Sequence, residues 1–243
     1  MIDFENIYNE YIKKENDKHK ENYVGYEDWF SASSAGSCLK RQYYKHIKTE
    51  PTDLPDAQTL RKMRFGTILH RDLEKTVNWY KEQYKEELEK DNMEIVTEYK
   101  VKIPDLKVVG HLDFAIKNNE KAEIYDLKSA HEYTYKLYAK KLGKTSDNRS
   151  YNMQVSTYGL AFSSEHDLED FKCYLLWYNK NDSRMNTKEI PIQYADNALF
   201  YWTDVNEVIE TITEPNQLKR GVDDGVPFEK WQCSYCEFKS ICK

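Results

Sequence analysis

The stretch that decides the fold is "GHLDFAIKNNEKAEIYDLKSA" (110–130). Two β-like runs flank "NNEK" (118–121), whose composition is that of a tight turn. With Asn119 and Glu120 as a two-residue loop, Asn118 pairs with Lys121 and Asp113 falls opposite Asp126. Cross-strand partners point to one face with their Cβ atoms roughly 5 Å apart. Alternation along "IYDLKSA" (124–130) puts Asp126 and Lys128 on one face, and Tyr125 and Leu127 on the other. An otherwise hydrophobic strand does not hold unpaired charge cheaply. Two carboxylates side by side repel unless something neutralises them. A divalent cation does so, since Mg²⁺ takes one or two carboxylates together with water and phosphate oxygens. A salt-bridged surface hairpin is the alternative.

On either side of this hairpin the pattern predicts helices over 3–20, from near Ser34 (carrying Cys38), and over 56–90, 131–142, 150–162 and 195–212. It predicts strands over 94–103, 106–117, 122–128, 170–179 and 186–192. Helices before and after a three-strand meander imply an α/β fold, a mixed central sheet flanked by helices. With 243 residues and no internal repeat or Gly/Ser linker, one domain is expected over 1–243, its core at about 56–192.

A hydrophobic content of 40% beside 32% charged residues describes a soluble globular chain. The amino terminus "MIDFENIYNEYIKKENDK" is charged throughout, unlike a signal peptide. The run "CYLLWY" (173–178) is too short to span a bilayer. These features predict a cytoplasmic protein without a membrane partner and with reduced thiols. A net charge of −6 looks wrong for a nucleic-acid protein, yet basic residues cluster at 38–48, 60–64 and 135–144. Charge runs are usually solvated faces, so function has to come from placed residues.

Two helical pairs are placed. In "GTILHRDLE" (66–74), His70 and Glu74 are i, i+4 neighbours, one turn after Gly66. In "MQVSTYGLAF" (153–162), Gln154 and Tyr158 likewise share a face. Each alone is compatible with ordinary helix packing. In order, "GTILH" (66–70), "GHLD" (110–113), "YDLK" (125–128) and "QVSTY" (154–158) resemble the RecB-type branch of the PD-(D/E)xK nucleases, whose fold is restriction-endonuclease-like. The resemblance spans residues 34–162 as motifs. It implies that His70, Asp113 and Asp126, with the backbone carbonyl of Leu127, hold Mg²⁺ or Mn²⁺. It makes Lys128 the residue that orients or activates the attacking water, and Gln154 and Tyr158 substrate-side residues. Glu98, just before "YKVKI", is a candidate for an outer or second-metal carboxylate.

Five cysteines stand at 38, 173, 233, 236 and 242. Cys173, inside the strand-like "FKCYLLWY", reads as a buried small hydrophobe. "WQCSYCEFKSIC" (231–242) gives C-x2-C-x5-C at the carboxyl end, with Cys38 almost the whole chain away. A zinc ribbon usually pairs two C-x2-C knuckles, and only one is present; four thiolates also suit a 4Fe–4S cluster. One cysteine before the core and three after it resembles the iron–sulfur subgroup of RecB-type nucleases, which includes the AddB nuclease domain, CRISPR-associated exonucleases and phage relatives. That resemblance implies a 4Fe–4S cluster on Cys38, Cys233, Cys236 and Cys242, joining about 31–48 to about 226–243. Zinc is the alternative.

The function so implied is a metal-dependent DNA exonuclease acting on single strands or free ends, with 5′→3′ polarity. The other readings are an endonuclease or nickase of the same chemistry, and an iron–sulfur subunit that binds nucleic acid without cutting. No G-x-x-x-x-G-K-[ST] occurs, so ATP-driven unwinding would require a helicase partner. The resemblance also allows a recombination or CRISPR partner and an oligomer.

Overall fold

The computed structural model describes residues 3–20, 26, 28–139, 148–223 and 230–242. Helix α1 (Phe4–Lys20) is followed by a two-residue strand β1 (Phe30–Ser31), α2 (Leu39–His46), α3 (Ala57–Gln83) and α4 (Lys85–Lys90). Then come β2 (Glu94–Ile103), β3 (Val108–Lys117), β4 (Lys121–Ala130), α5 (Glu132–Tyr138) and α6 (Arg149–Glu165). Strands β5 (Asp170–Asn179) and β6 (Met185–Ile190) and helix α7 (Gln193–Thr211) complete the regular elements.

The sheet runs β1-β3-β4-β5-β6, with β2 also paired to β3. It is mixed: β4 and β5 are parallel, while β2–β3, β3–β4 and β5–β6 are antiparallel. Strand β2 occupies one edge of β3 along its whole length, from Val108 to Lys117. On the other edge β4 pairs only from Phe114 to Lys117. The freed end of that edge is taken by β1, parallel at Val108 and Val109. The strands therefore part in the middle of β3, and Asp113 stands at the parting.

Helix α6 lies against the sheet and is buried on nearly all sides, so it carries no polar stripe. Its Val155 and Phe162 join Leu112, Ala115, Ile124, Ala198 and Trp202, all 0% exposed, in the main core. Helix α7 closes over α6, with Trp202 Nε1 donating to Thr157 Oγ1 at 3.0 Å. Helix α3 begins at an Asp56 cap, whose Oδ1 accepts the Thr59 N–H at 2.7 Å. It packs against β2, β3 and β4 and carries α1 through Arg61–Glu5 at 3.0 Å and Arg64–Glu15 at 3.7 Å.

Several expected boundaries move. The helix expected over 56–90 breaks at Tyr84, which leaves helical geometry at φ −113°, ψ 28°. The strand expected from 106 starts at Val108, because Pro104–Leu106 form a 3₁₀ turn and Lys107 is left-handed at φ 52°. Cys38 is the amino-terminal cap of α2 and is not carried on a helix beginning near Ser34. The helix expected over 131–142 runs from Glu132 to Tyr138; residues 140–142 lie outside the described residues, as do 226–229 of the tail.

One close contact sets the α6–sheet distance. A Cβ on Gly159 would stand 2.5 Å from the Phe171 ring and 2.8 Å from Cys173 Sγ. Gly159→Ala should therefore lower unfolding stability by about 1–3 kcal/mol, as overpacked cores do. A lower urea midpoint at unchanged slope would register it; an unchanged midpoint would mean that α6 can shift away from β5.

Candidate metal-dependent active site

The hairpin has the expected turn: Asn118 N–H donates to Lys121 O at 3.0 Å. Pairing proceeds from Lys117↔Ala122 to Phe114↔Tyr125, a register that sets Asp113 opposite Asp126. No further rung forms. Instead the Leu127 N–H donates to Asp113 Oδ2 at 2.6 Å. The other oxygen, Oδ1, lies 2.9 Å from His70 Nδ1 on α3. That helix passes Ser129 at Gly66, one turn before His70, where a Cβ would stand at ordinary contact distance, 3.8 Å from Ser129 Oγ.

Asp126 is 2% exposed. Lys128 Nζ stands 2.6 Å from its Oδ2, a charge contact without hydrogen-bond angles. The same Nζ donates to Gln154 Oε1 at 3.0 Å and lies 4.7 Å from the centre of the Tyr151 ring. Gln154 Nε2 in turn donates to Asp126 Oδ1 at 3.3 Å and to Tyr158 OH at 2.9 Å. Gly110 leaves room for Tyr158, since a Cβ at 110 would meet Tyr158 Cε1 at 2.7 Å and Ala32 Cβ at 2.8 Å. His70, Asp113, Asp126, Lys128, Gln154 and Tyr158 thus meet around the ends of two diverging strands. Of Leu127, it is the amide N–H that makes contact.

The electrostatics are those of crowded carboxylates. Burial raises the Asp126 carboxyl, the Lys128 ammonium opposes that rise, and Asp113 adds to it. Burial would discharge Lys128, but Asp126 outweighs it and keeps the ammonium charged. Burial also lowers His70, while the hydrogen bond and charge of Asp113 reverse the shift to a net rise. Glu98 lies opposite Asp113 in the β2–β3 register and is held at φ 47°. Burial, followed by the charges of Asp113 and Glu74, pushes its carboxyl up to about 7. Strand alternation breaks here: Val96, Tyr99 and Val101 of β2 all meet the main core, as do Leu112 and Ala115 of β3. The three-residue spacings 96–99 and 112–115 were the available sequence signal for this kink. Within the basic run at 135–144, Lys136 is paired with Glu132 at 2.7 Å; residues 140–144 lie outside the described residues.

The four distant cysteines line one cavity of about 410 Å³. Cys38 Sγ accepts the Arg41 N–H at 3.3 Å, and Cys236 Sγ accepts the Phe238 N–H at 3.5 Å. Burial pushes the Cys38 thiol up to about 11, with further rises from Cys236 and Cys242. Cys173 is apart from them, buried on β5 and donating to Val155 O at 3.3 Å. Among the described residues, no group of three or more His, Cys, Asp or Glu side chains is placed so that it could hold a metal ion. Nor, among those residues, is any helix long and apolar enough to cross a membrane.

No curated protein matches the chain by sequence search. Among solved structures, that of SSO0001 superposes with TM-score 0.59 at 20% identity, covering 99% of this chain and 98% of the other. A proposed exonuclease from Eubacterium rectale superposes with TM-score 0.53 at 12% identity, covering 80% and 87%. At such identities the likeness is one of fold. The family is set by residues 39–243, which match the PD-(D/E)XK nuclease superfamily. That match contains His70, Asp113, Asp126, Lys128, Gln154 and Tyr158, and the chain belongs to this superfamily.

Proposed function

We propose that this protein is a metal-dependent exonuclease that hydrolyses phosphodiester bonds of DNA, acting on single strands or free ends with 5′→3′ polarity. The observation that carries the reading is the convergence of Asp113 and Asp126 where β3 and β4 part, with Lys128 2.6 Å from Asp126. The donor set fits a hard divalent ion. Asp126 Oδ2 is buried without a well-angled hydrogen bond, and two further carboxylates, Glu98 and Glu74, raise the negative potential. Asp113, Asp126, His70 and the Leu127 carbonyl are the groups that would hold Mg²⁺ or Mn²⁺. When bound, the ion supplies a nucleophile from water at neutral pH and neutralises charge on the phosphate.

The chain's own residues do the rest. Lys128, kept charged by Asp126, faces the reacting phosphate's developing charge and orients the water. Gln154 fixes the lysine and the aspartate together, accepting from one and donating to the other. Tyr158 takes Gln154's second hydrogen and sets its amide orientation. His70 holds Asp113 from the helix side, so both of that carboxylate's oxygens are fixed.

For the carboxyl-terminal cavity we propose a Cys₄ metal centre, read as a 4Fe–4S cluster with a structural role. Support comes from the four thiols lining it and from backbone N–H groups aimed at Cys38 and Cys236 sulfurs. Burial raises the Cys38, Cys233 and Cys236 thiols and so favours their protonated form, whereas a bound metal makes thiolates favourable.

Asp126→Ala should abolish cleavage while leaving DNA binding largely intact, and Lys128→Ala should cost about a hundredfold or more in rate. Gln154→Ala should cost less, because it positions and does not react. Digestion of 5′- or 3′-labelled linear, circular and single-stranded DNA with Mg²⁺, Mn²⁺ or EDTA tests these roles, the end requirement and the polarity together. Cleavage of circles would establish an endonuclease, and full activity in Lys128→Ala would remove it from the chemistry. An inactive wild type would leave a binding subunit.

Anaerobically purified protein should be brown, with absorbance from thiolate-ligated iron. Cys38→Ser should lose the colour and Cys173→Ser should keep it. One zinc and no iron by metal analysis would replace the cluster with a zinc site and leave the nuclease assignment untouched.

A further inference from the structure

We propose that Glu237 is a positioning residue that docks the carboxyl-terminal segment onto α2, arranging the three tail thiols around Cys38 before any metal binds. This rests on the Cys₄ reading of the cavity. Glu237 follows Cys236 directly, and its side chain is only 19% exposed. Arg41 grips it with a fork, Nε donating to Oε2 at 2.9 Å and Nη2 to Oε1 at 3.2 Å. Lys45, one turn further along α2, stands 3.3 Å from Oε1. A planar guanidinium across both carboxylate oxygens fixes direction as well as distance.

The backbone of Glu237 is held too. Its carbonyl accepts the N–H groups of Thr52 and Asp53 at 2.9 and 3.0 Å. Asp53 closes the loop by accepting the Ser240 N–H at 2.8 Å and the Ser240 hydroxyl at 2.7 Å. Between these ties, Phe238 is 2% exposed and packs on Tyr44 of α2 with ring centres 5.1 Å apart. None of these contacts involves sulfur. They lie between Cys236 and Cys242 in the chain, and the helix they grip is the one Cys38 caps.

The physical consequence concerns when the chain is ordered. Bringing residue 38 to residues 233–242 closes a loop of nearly the whole chain, with an entropy cost that grows with length. If the protein contacts already hold that closure, metal binding orders little more than the sulfurs, and both affinity and loading rate gain. A tail docked only by its metal would instead be loose until loaded.

The test uses the full chain, stripped anaerobically with a chelator and kept reduced, as wild type, Glu237→Ala, Glu237→Gln and Arg41→Gln. Hydrogen exchange over 230–242 reports docking; iron per chain and visible absorbance after adding ferrous iron and sulfide report loading. Stripped wild type should stay protected. Glu237→Ala should exchange about tenfold faster and load about tenfold slower, since it removes a hydrogen-bonded fork to a charged group. Glu237→Gln should fall between. Arg41→Gln breaks the same contact from the helix, so a poorly folded Glu237→Ala would not decide the matter. A stripped wild type as exposed as Glu237→Ala, or variants that load at the wild-type rate, would overturn the proposal while leaving the metal site standing. A protected wild type that takes up neither iron nor zinc would overturn the Cys₄ reading, and the positioning role with it.

Discussion

The site depends on one hydrogen bond, from the Leu127 amide to Asp113 Oδ2 at 2.6 Å. An antiparallel ladder that ends inside a sheet leaves backbone groups needing partners, and buried ones are costly when unpaired. Here a carboxylate takes one of them. The substitution lets β3 and β4 part without an orphaned donor, and it ties one prospective metal ligand to the strand that carries the other. The parted edge also admits β1 at Val108 and Val109. The same event therefore opens the site and fixes the amino-terminal segment to the sheet.

Glu98 completes the kink from the opposite edge. A non-glycine residue at φ 47° is uncommon and costs of order 1 kcal/mol or more. The β2–β3 pairing skips one rung between Thr97↔Phe114 and Tyr99↔Leu112, which leaves Glu98 across from Asp113, so the strain falls beside that carboxylate. Simple alternation through both strands would send Leu112 and Ala115 to opposite faces. Both are 0% exposed in one core. The break aims Asp113 toward His70 and the Leu127 amide. A flatter strand pair would keep the core but lose the carboxylate cluster.

What the sequence made legible was what short-range periodicity controls. A two-residue turn fixed Asp113 against Asp126, and helical spacing put Gln154 beside Tyr158, where they hydrogen-bond at 2.9 Å. The four cysteines in one cavity were legible through a resemblance, not through any local rule. The Leu127 amide, the side-chain role of Gln154 between Lys128 and Asp126, and the Arg41–Glu237 fork were hidden. Each joins residues whose separation along the chain carries no pattern, 196 positions in the last case. Glu98 was visible only as a glutamate near a strand edge; its backbone conformation comes from the tertiary kink. Local preference also failed at Tyr84, where nothing in composition forbids a continuous helix but the chain turns to reach β2.

The carboxyl-terminal centre and the carboxylate site are joined by contiguous packing. From Arg41, α2 reaches Gln42, whose Nε2 donates to Tyr201 OH at 2.8 Å, and Tyr201 donates to Ser37 O at 2.8 Å. Gln42 also donates to Ser34 O at 3.0 Å, which holds the turn containing Ala32. Ala32 closes on Gly110, and Gly110 on the ring of Tyr158, leaving no room for even a methyl group. Tyr158 then fixes Gln154, and Gln154 fixes Lys128. Such a path transmits displacement, yet each step is a packed or hydrogen-bonded contact with one arrangement, and coupling between distant sites needs an element with two. Under the roles proposed for Lys128 and the thiols, loosening the tail acts on Lys128 by destabilising its support, so the thiol site would govern how much folded protein exists and not which reaction it performs.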